Sequence, residues 1–124
     1  MAGRSRLKDG VASLAYVPAI PIRETLRVRQ FYVYILASRP GGALYVGVTN
    51  NLIRRVYQHK KKMIEGHTKY YGIDRLVYFE IYDTAYQAIQ REKNIKHWPR
   101  AWKTRLIAKE NDTWRDLYDD IAQP

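Results

Sequence analysis

Three short runs of this chain alternate aliphatic side chains with tyrosines, and that alternation is the feature that most constrains its fold. Successive residues of a strand point to opposite faces, so a period of two reads as a half-buried strand. In Phe31–Ala37, Phe31, Val33 and Ile35 share one face while Tyr32 and Tyr34 share the other. Residues 44–48 repeat the scheme, with Leu44, Val46 and Val48 against Tyr45 and Gly47. Residues 76–82 set Val77, Phe79 and Ile81 against Tyr78, Glu80 and Tyr82. Arg39-Pro40-Gly41-Gly42 supplies turn residues between the first two runs, which predicts an antiparallel hairpin. If the aliphatic faces form one core, Tyr34 and Tyr45 lie together on the opposite side. Tyrosines also favour strands for packing reasons alone, with the hydroxyl at the rim.

Helical signals fill the remaining sequence. Thr49, Asn50 or Asn51 is placed to cap a helix over residues 52–63, with Leu52, Ile53, Val56, Tyr57, Met63 and Ile64 on one side. Residues 66–74 read as a loop. Thr84, followed three residues later by Gln87, is a capping-box signature for a helix from Ala85 to about His97. Pro99 suits the first turn of another helix, to about Lys109, with Trp102 and Leu106 one turn apart. Thr113 with Asp116 is placed to open a last short helix. The expected fold class is α/β (α+β): a three-stranded antiparallel sheet flanked by helices, in the order β-β-α-β-α-α.

Charge narrows the partners. The chain carries 22 basic and 12 acidic residues, a formal net charge of +10, and the excess is spread over the sequence. Phosphate neutralisation makes nucleic acid the first-choice partner of such a surface. With no cysteine, a disulfide scaffold, a thiolate zinc site and a cysteine nucleophile are all excluded. No apolar run approaches the length that spans a bilayer. Residues 1–29 differ from the rest: Gly3, Gly10, Pro18 and Pro21 interrupt every period, so a loosely packed extension is expected there, with a domain over residues 30–120.

Two constellations are able to carry chemistry. Arg55 and His59 are spaced i, i+4 and stack on one helix face. A guanidinium beside an imidazole suits a phosphate, combining a fixed fork of donors with a proton exchanger near neutral pH. The alternative is a solvated basic face, since Arg54 and Lys60, Lys61 and Lys62 surround them. Glu92 falls where the apolar stripe Ala85, Ala88, Ile89, Ile95 should continue. An inward carboxylate costs free energy unless it is paired or holds a cation. Arg91, Lys93 and Lys96 are poorly placed to pair with it; Arg55 or His59 are the candidate partners, and a hard divalent ion is the functional alternative.

Taken in order, Tyr32-Val33-Tyr34, then Tyr45-Val46-Gly47, then Arg55, His59 and Glu92 resemble the GIY-YIG nuclease family. Arg91-Glu92-Lys93, the segment from Trp98 to Lys103 and the segment from Asn111 to Tyr118 are similar to its small standalone bacterial subgroup, related to the N-terminal nuclease domain of the bacterial excision-repair endonuclease. Tyr32 stands where the motif has glycine and Val33 where it has isoleucine, so Tyr32 places bulk on the active face.

The resemblance implies a divalent-metal-dependent endonuclease that hydrolyses phosphodiester bonds in DNA, in repair or recombination, in the bacterial cytoplasm. It implies Tyr34, Tyr45, Arg55 and His59 as catalytic residues and Glu92 as the ligand of one Mg²⁺ or Mn²⁺. It also sets Asn111 beside the site. A tyrosine that deprotonates water, Tyr34 foremost, requires neighbouring positive charge or metal, because a phenol normally ionises near pH 10. Lys60, Lys61, Lys62 and Lys69 flank the Arg55–His59 helix and are expected to contact phosphates. Specificity for a target must come from this surface or from a targeting partner. A non-catalytic nucleic-acid-binding module on the same fold is the alternative, against which the inward carboxylate speaks.

Overall fold

A computed structural model describes residues 29–122, so the expected extension over residues 1–29 lies almost wholly outside the described residues. Strands β1 (Phe31–Ala37), β2 (Leu44–Thr49) and β3 (Arg75–Tyr82) form one antiparallel sheet in the order β2-β1-β3. The helices are α1 (Leu52–Lys60), α2 (His67–Tyr71), α3 (Ala85–His97), α4 (Arg100–Glu110) and α5 (Tyr118–Ile121). The expected α/β class and antiparallel sheet are therefore present, with two short helices, α2 and α5, added to the order β-β-α-β-α-α. Helix α2 occupies part of the stretch expected to be loop.

Caps account for most of the boundaries. The Asn51 side chain accepts from Arg54 N at 3.1 Å and starts α1. Thr84 Oγ1 accepts from Gln87 N at 3.2 Å and donates to Gln87 Oε1 at 3.1 Å, which starts α3 at the position its capping signature indicates. Helix α1 stops three residues earlier than its apolar pattern suggests. Lys62 takes a left-handed backbone (φ 56), and Lys62 N and Met63 N turn back to the carbonyls of His59 and Gln58. That is a Schellman C-cap with lysine where glycine is usual. Met63 consequently leaves the helix and is 61% exposed.

The sheet is covered on both faces, which corrects the expectation of a single aliphatic core. On one face Val33, Ile35 and Val46 pack with Ala88 and Ile95 of α3 and Ile107 of α4. On the other, Tyr34 and Leu36 pack with Leu52 and Val56 of α1, Ile73, and Ile121 of α5. The pairing register also reverses the parity assumed for β3. Phe79 lies opposite Tyr34 and Ile81 opposite Tyr32, whereas Tyr78 lies opposite Ile35 and Glu80 opposite Val33. A bulge between Ile35 and Leu36 then returns Leu76 to the Tyr34 face. Alternation within a strand fixes two faces but not which of them meets a neighbour's; register decides that.

The C-terminal segment staples β3. Leu117 N donates to Leu76 O at 2.7 Å, and Asp116 Oδ1 accepts from Leu76 N and Tyr118 N. Asp116, rather than opening a helix with Thr113, thus closes the end of β3 and precedes α5. Asn111 Nδ2 donates to Val77 O and Arg115 O, at 3.1 and 2.8 Å.

A non-glycine residue in the left-handed region is strained by about 1–2 kcal/mol. Lys62→Gly should therefore raise stability by up to about 1 kcal/mol, since glycine's greater freedom in the unfolded chain offsets part of the relief. A urea midpoint at or below that of the parent would show that the lysine carries no strain there.

Candidate active site

The site is built around Gly47. It is the direct cross-strand partner of Tyr34, and the Tyr34 ring lies against its bare backbone. A Cβ on Gly47 would stand 2.5 Å from Tyr34 Oη and 2.6 Å from Cζ. Only glycine lets the ring take this path across β2. The ring is only 1% exposed and has little room to retreat. At its far end Tyr34 Oη is 3.2 Å from His59 Nε2.

Helix α1 brings His59 to that point. Leu52, Val56 and His59 recur on its buried side, so the face that packs on the sheet is also the face that carries the imidazole. His59 is 3% exposed, and its Nδ1 is 3.1 Å from Thr68 Oγ1. Thr68 is the buried residue of α2, so the short helix that the sequence concealed in a loop holds the second nitrogen of the ring. Tyr45 completes the cluster, its ring centroid 5.4 Å from that of His59 and 6.2 Å from that of Tyr34. Arg55, one turn before His59, is half-buried; its Nη1 donates to Gln58 Oε1 at 3.5 Å, and its charge acts on Tyr34 and His59.

Burial dominates the electrostatics. Burial and the Tyr45 phenol push Tyr34 up to about 12, against the opposing influence of Arg55. The lowered phenol pKa that a resident phenolate base requires is thus not what this environment produces. Burial and the Arg55 charge pull His59 down to about 4, with Asp74 acting the other way. At neutral pH the phenol keeps its proton and the imidazole is neutral. With the single ring proton on Nδ1, given to Thr68 Oγ1, Nε2 accepts the Tyr34 hydroxyl.

Glu92 comes from the other side of the sheet. It lies between Ala88 and Ile95 on the buried face of α3, and its side chain is 10% exposed. Its ion-pair partner is Lys96, with Nζ 2.6 Å from Oε2. The sequence had set Lys96 aside in favour of Arg55 or His59, but the i, i+4 spacing was itself the available signal. The hydrogen bond to Glu92 holds Lys96 above its ordinary pKa; desolvation opposes this, while the Glu92 charge and the Tyr45 phenol add to it. Helix α3 packs on β1 and on β2, the strand at one edge of the sheet. Lys96 and Tyr45 therefore lie within electrostatic range of each other near that edge.

Position α3 owes much to Arg91, the residue before Glu92. Arg91 Nε and Nη2 each donate to Glu80 of β3 at 2.9 Å, and its guanidinium stacks 5.0 Å from the Trp98 ring centroid. Glu80 also accepts from Tyr82 Oη at 2.7 Å and from Tyr78 Oη. A buried carboxylate with this many donors is satisfied in place.

Among the described residues no group of three or more His, Asp or Glu side chains could hold a metal ion. A lone buried carboxylate fits a hard divalent ion that keeps most of its waters, such as Mg²⁺ or Mn²⁺, and does not fit a zinc cage.

The basic residues divide. Lys60 pairs with Asp116 and lies over the Tyr118 ring, so it ties α1 to the C-terminal segment. Lys61 and Lys62 are exposed, and Lys69 pairs with the exposed Glu65 at 2.8 Å. Asn111 is committed to main-chain groups of β3 and the segment after α4. Tyr32 packs on the Tyr34 face, with its hydroxyl 3.4 Å from Gln30 Oε1.

Residues 30–105 match the GIY-YIG catalytic domain, and the chain belongs to that family. A UPF0213 protein from Clostridium perfringens is 38% identical over 80 residues, covering 64% of this chain and 85% of the relative. Another, from Natronomonas pharaonis, is 40% identical over 79 residues, covering 64% of this chain and 92% of the relative. The solution NMR structure of a UPF0213 protein from Bacillus halodurans is 26% identical, covers 71% of this chain and 93% of its own, and aligns with a TM-score of 0.46. A GIY-YIG domain suggests an endonuclease acting on DNA, and GIY-YIG nucleases generally use a divalent metal ion. No helix among the described residues is long and apolar enough to cross a membrane.

Two outcomes follow from this geometry. Gly47→Ala should displace the Tyr34 ring and break its bond to His59. The cost is that of overpacking a core, about 1–3 kcal/mol; a melting temperature and Tyr34 side-chain NMR shifts equal to the parent's would refute the close approach. Acid stability should report His59. The unfolded chain takes up the His59 proton near its ordinary 6.5, the folded chain only near 4, so stability falls as pH drops through that window. Melting temperature should decline from pH 7 to pH 4.5 more steeply in the parent than in His59→Gln, whose amide does not titrate.

Proposed function

We propose that this protein is a divalent-metal-dependent endonuclease that hydrolyses a phosphodiester bond in DNA. The observation that carries the proposal is the buried Tyr34–His59–Thr68 chain of hydrogen bonds, with the Arg55 charge acting on both Tyr34 and His59. A protonated phenol is a poor base by itself but a good conduit. As water attacks phosphorus, its proton passes to Tyr34 Oη while the phenol proton passes to His59 Nε2. Thr68 holds the Nδ1 proton and so keeps Nε2 open to receive. No standing phenolate is needed, which reconciles the raised Tyr34 pKa with a role in proton transfer.

Arg55 has two effects. It presents a guanidinium to the phosphoryl oxygens as negative charge develops there. In the free protein its charge also helps keep His59 neutral. An arriving phosphate offsets that charge and so relieves the smaller of the two influences that lower His59, burial being the larger. Tyr45 packs against both rings and orients the Tyr34 hydroxyl. Glu92 would hold one Mg²⁺ or Mn²⁺, which when bound supplies charge neutralisation at the phosphate and at the leaving 3′ oxygen. The P–O3′ bond breaks and the departing 3′ oxygen takes a proton from solvent, leaving a 5′-phosphate and a 3′-hydroxyl, while His59 returns its proton through Tyr34 to water.

On this reading residues 30–120 are the nuclease unit, acting in the bacterial cytoplasm, in repair or recombination. Lys61, Lys62 and Lys69 are the proposed phosphate contacts, and Lys60 is left to its structural pair with Asp116. Each contact should contribute roughly one unit to the log–log dependence of DNA affinity on salt.

Nicking of plasmid, single-stranded and branched DNA with Mg²⁺ or Mn²⁺ tests the proposal. Tyr34→Phe should melt like the parent yet lose on the order of 10²–10⁴ in single-turnover rate. Glu92→Gln should abolish cleavage while retaining DNA binding. No nicking by the parent in either ion, or parental rates in both variants, would leave a nucleic-acid-binding module in place of an enzyme.

A further inference from the structure

We propose that Lys96 is a built-in counter-cation for the Glu92 carboxylate, occupying the carboxylate in the metal-free protein and released from it by the divalent ion. The inference rests on the assignment of Glu92 as the metal ligand. It starts from a comparison within the molecule. Glu65 and Lys69 form the same i, i+4 pair at 2.8 Å, but the Glu65 side chain is 84% exposed. Water solvates that carboxylate, and the pair is worth little. Glu92 has the same spacing to Lys96, with Nζ at 2.6 Å, but only 10% of its side chain is exposed. A carboxylate so buried requires a cation, because a buried charge left alone costs several kcal/mol.

The Lys96 side chain is itself 50% exposed, so it comes from solvent to meet a buried anion. It has a short route back to water. Lys96 sits on Oε2, and an ion approaching Oε1 would still stand only a few ångströms from the ammonium, where like charges repel strongly if the dielectric is low. The two cations are thus alternatives. While Lys96 holds the carboxylate, the α3 face stays neutral and packed against β1 and β2. A divalent ion must overcome the ion pair before it binds, which sets a threshold concentration for loading the site. Glu80 and Arg91 anchor the same helix, so α3 need not move when the exchange occurs.

Mn²⁺ binding to the full chain without DNA, at pH 8, by calorimetry and electron paramagnetic resonance, tests this separately from cleavage. Lys96→Met keeps the length of the side chain and removes its charge. It should bind Mn²⁺ about two- to fivefold more tightly, the scale of a lost partly exposed ion pair. Its melting temperature should lie below the parent's without metal and rise more than the parent's on adding Mn²⁺. Lys96→Arg should restore parental affinity within about twofold, and Lys93→Met, which removes an exposed charge from the same helix, should leave affinity unchanged. Glu92→Gln should weaken Mn²⁺ binding sharply. Parental Mn²⁺ affinity in Lys96→Met, together with a sharp loss in Glu92→Gln, would overturn the role of Lys96 and leave the metal assignment standing. Parental affinity in Glu92→Gln would overturn the metal assignment itself. Equal tightening in Lys93→Met and Lys96→Met would reduce the effect to net charge and also overturn the proposal.

Discussion

The Tyr34 ring crosses β2 where Gly47 has no side chain, and the rest of the site is arranged around that crossing. Directly opposite residues in an antiparallel pair normally compete for the same space above the sheet. Here one partner has surrendered its share, so an aromatic ring can lie down across the neighbouring strand instead of standing on its own. Its hydroxyl is thereby delivered past the edge of the hairpin to helix α1. A tyrosine held this way is immobile and dry, and both properties follow it into its chemistry. Dryness raises its pKa, and immobility keeps its oxygen in line with one imidazole nitrogen.

A sheet covered on both faces lets two unlike sets of polar groups coexist in one small domain. Helix α1 brings a guanidinium and an imidazole to one face, and α3 brings a carboxylate along the other. Lys96, the ion-pair partner of Glu92, lies within electrostatic range of Tyr45 on β2, the strand at one edge of the sheet. The separation keeps the Glu92 charge away from the packed interior around His59, so a buried carboxylate paired with Lys96 and a neutral, buried imidazole exist within one small domain. The Glu80–Arg91 pair with its two tyrosine hydroxyls then fixes α3 against β3, so that the residue after Arg91 arrives at a defined place.

Much of this was legible in the sequence. Strand and helix periods, the Thr84 cap and the order of the motif residues depend on neighbours a few positions apart, and these interactions act the same way in any surroundings. Periodicity alone left Tyr34 and Tyr45 as sheet residues and Arg55 with His59 open to a solvated basic face; the resemblance to the GIY-YIG family is what singled them out. The shared face of Tyr34 and Tyr45 likewise follows from hairpin pairing, which short turns constrain.

Other features depended on contacts between distant parts of the chain. The reversed parity of β3 required the register of a strand about forty residues away from its partner and a bulge that the sequence does not announce. Thr68 became the partner of His59 only because α2 folds back over α1, and Lys62 ended α1 by a backbone conformation that its side chain does not favour. Asn111 and Lys60 carry the polar character of site residues, but the C-terminal segment claims them for the backbone of β3 and for Asp116. The pKa values are tertiary as well, since burial sets them and burial is a property of the assembled core. The sequence by itself determined which chemical groups were available and on which local elements they ride. The tertiary structure decided which of them are desolvated, which are paired and which face one another, because those properties arise only when separate elements exclude water from the space between them.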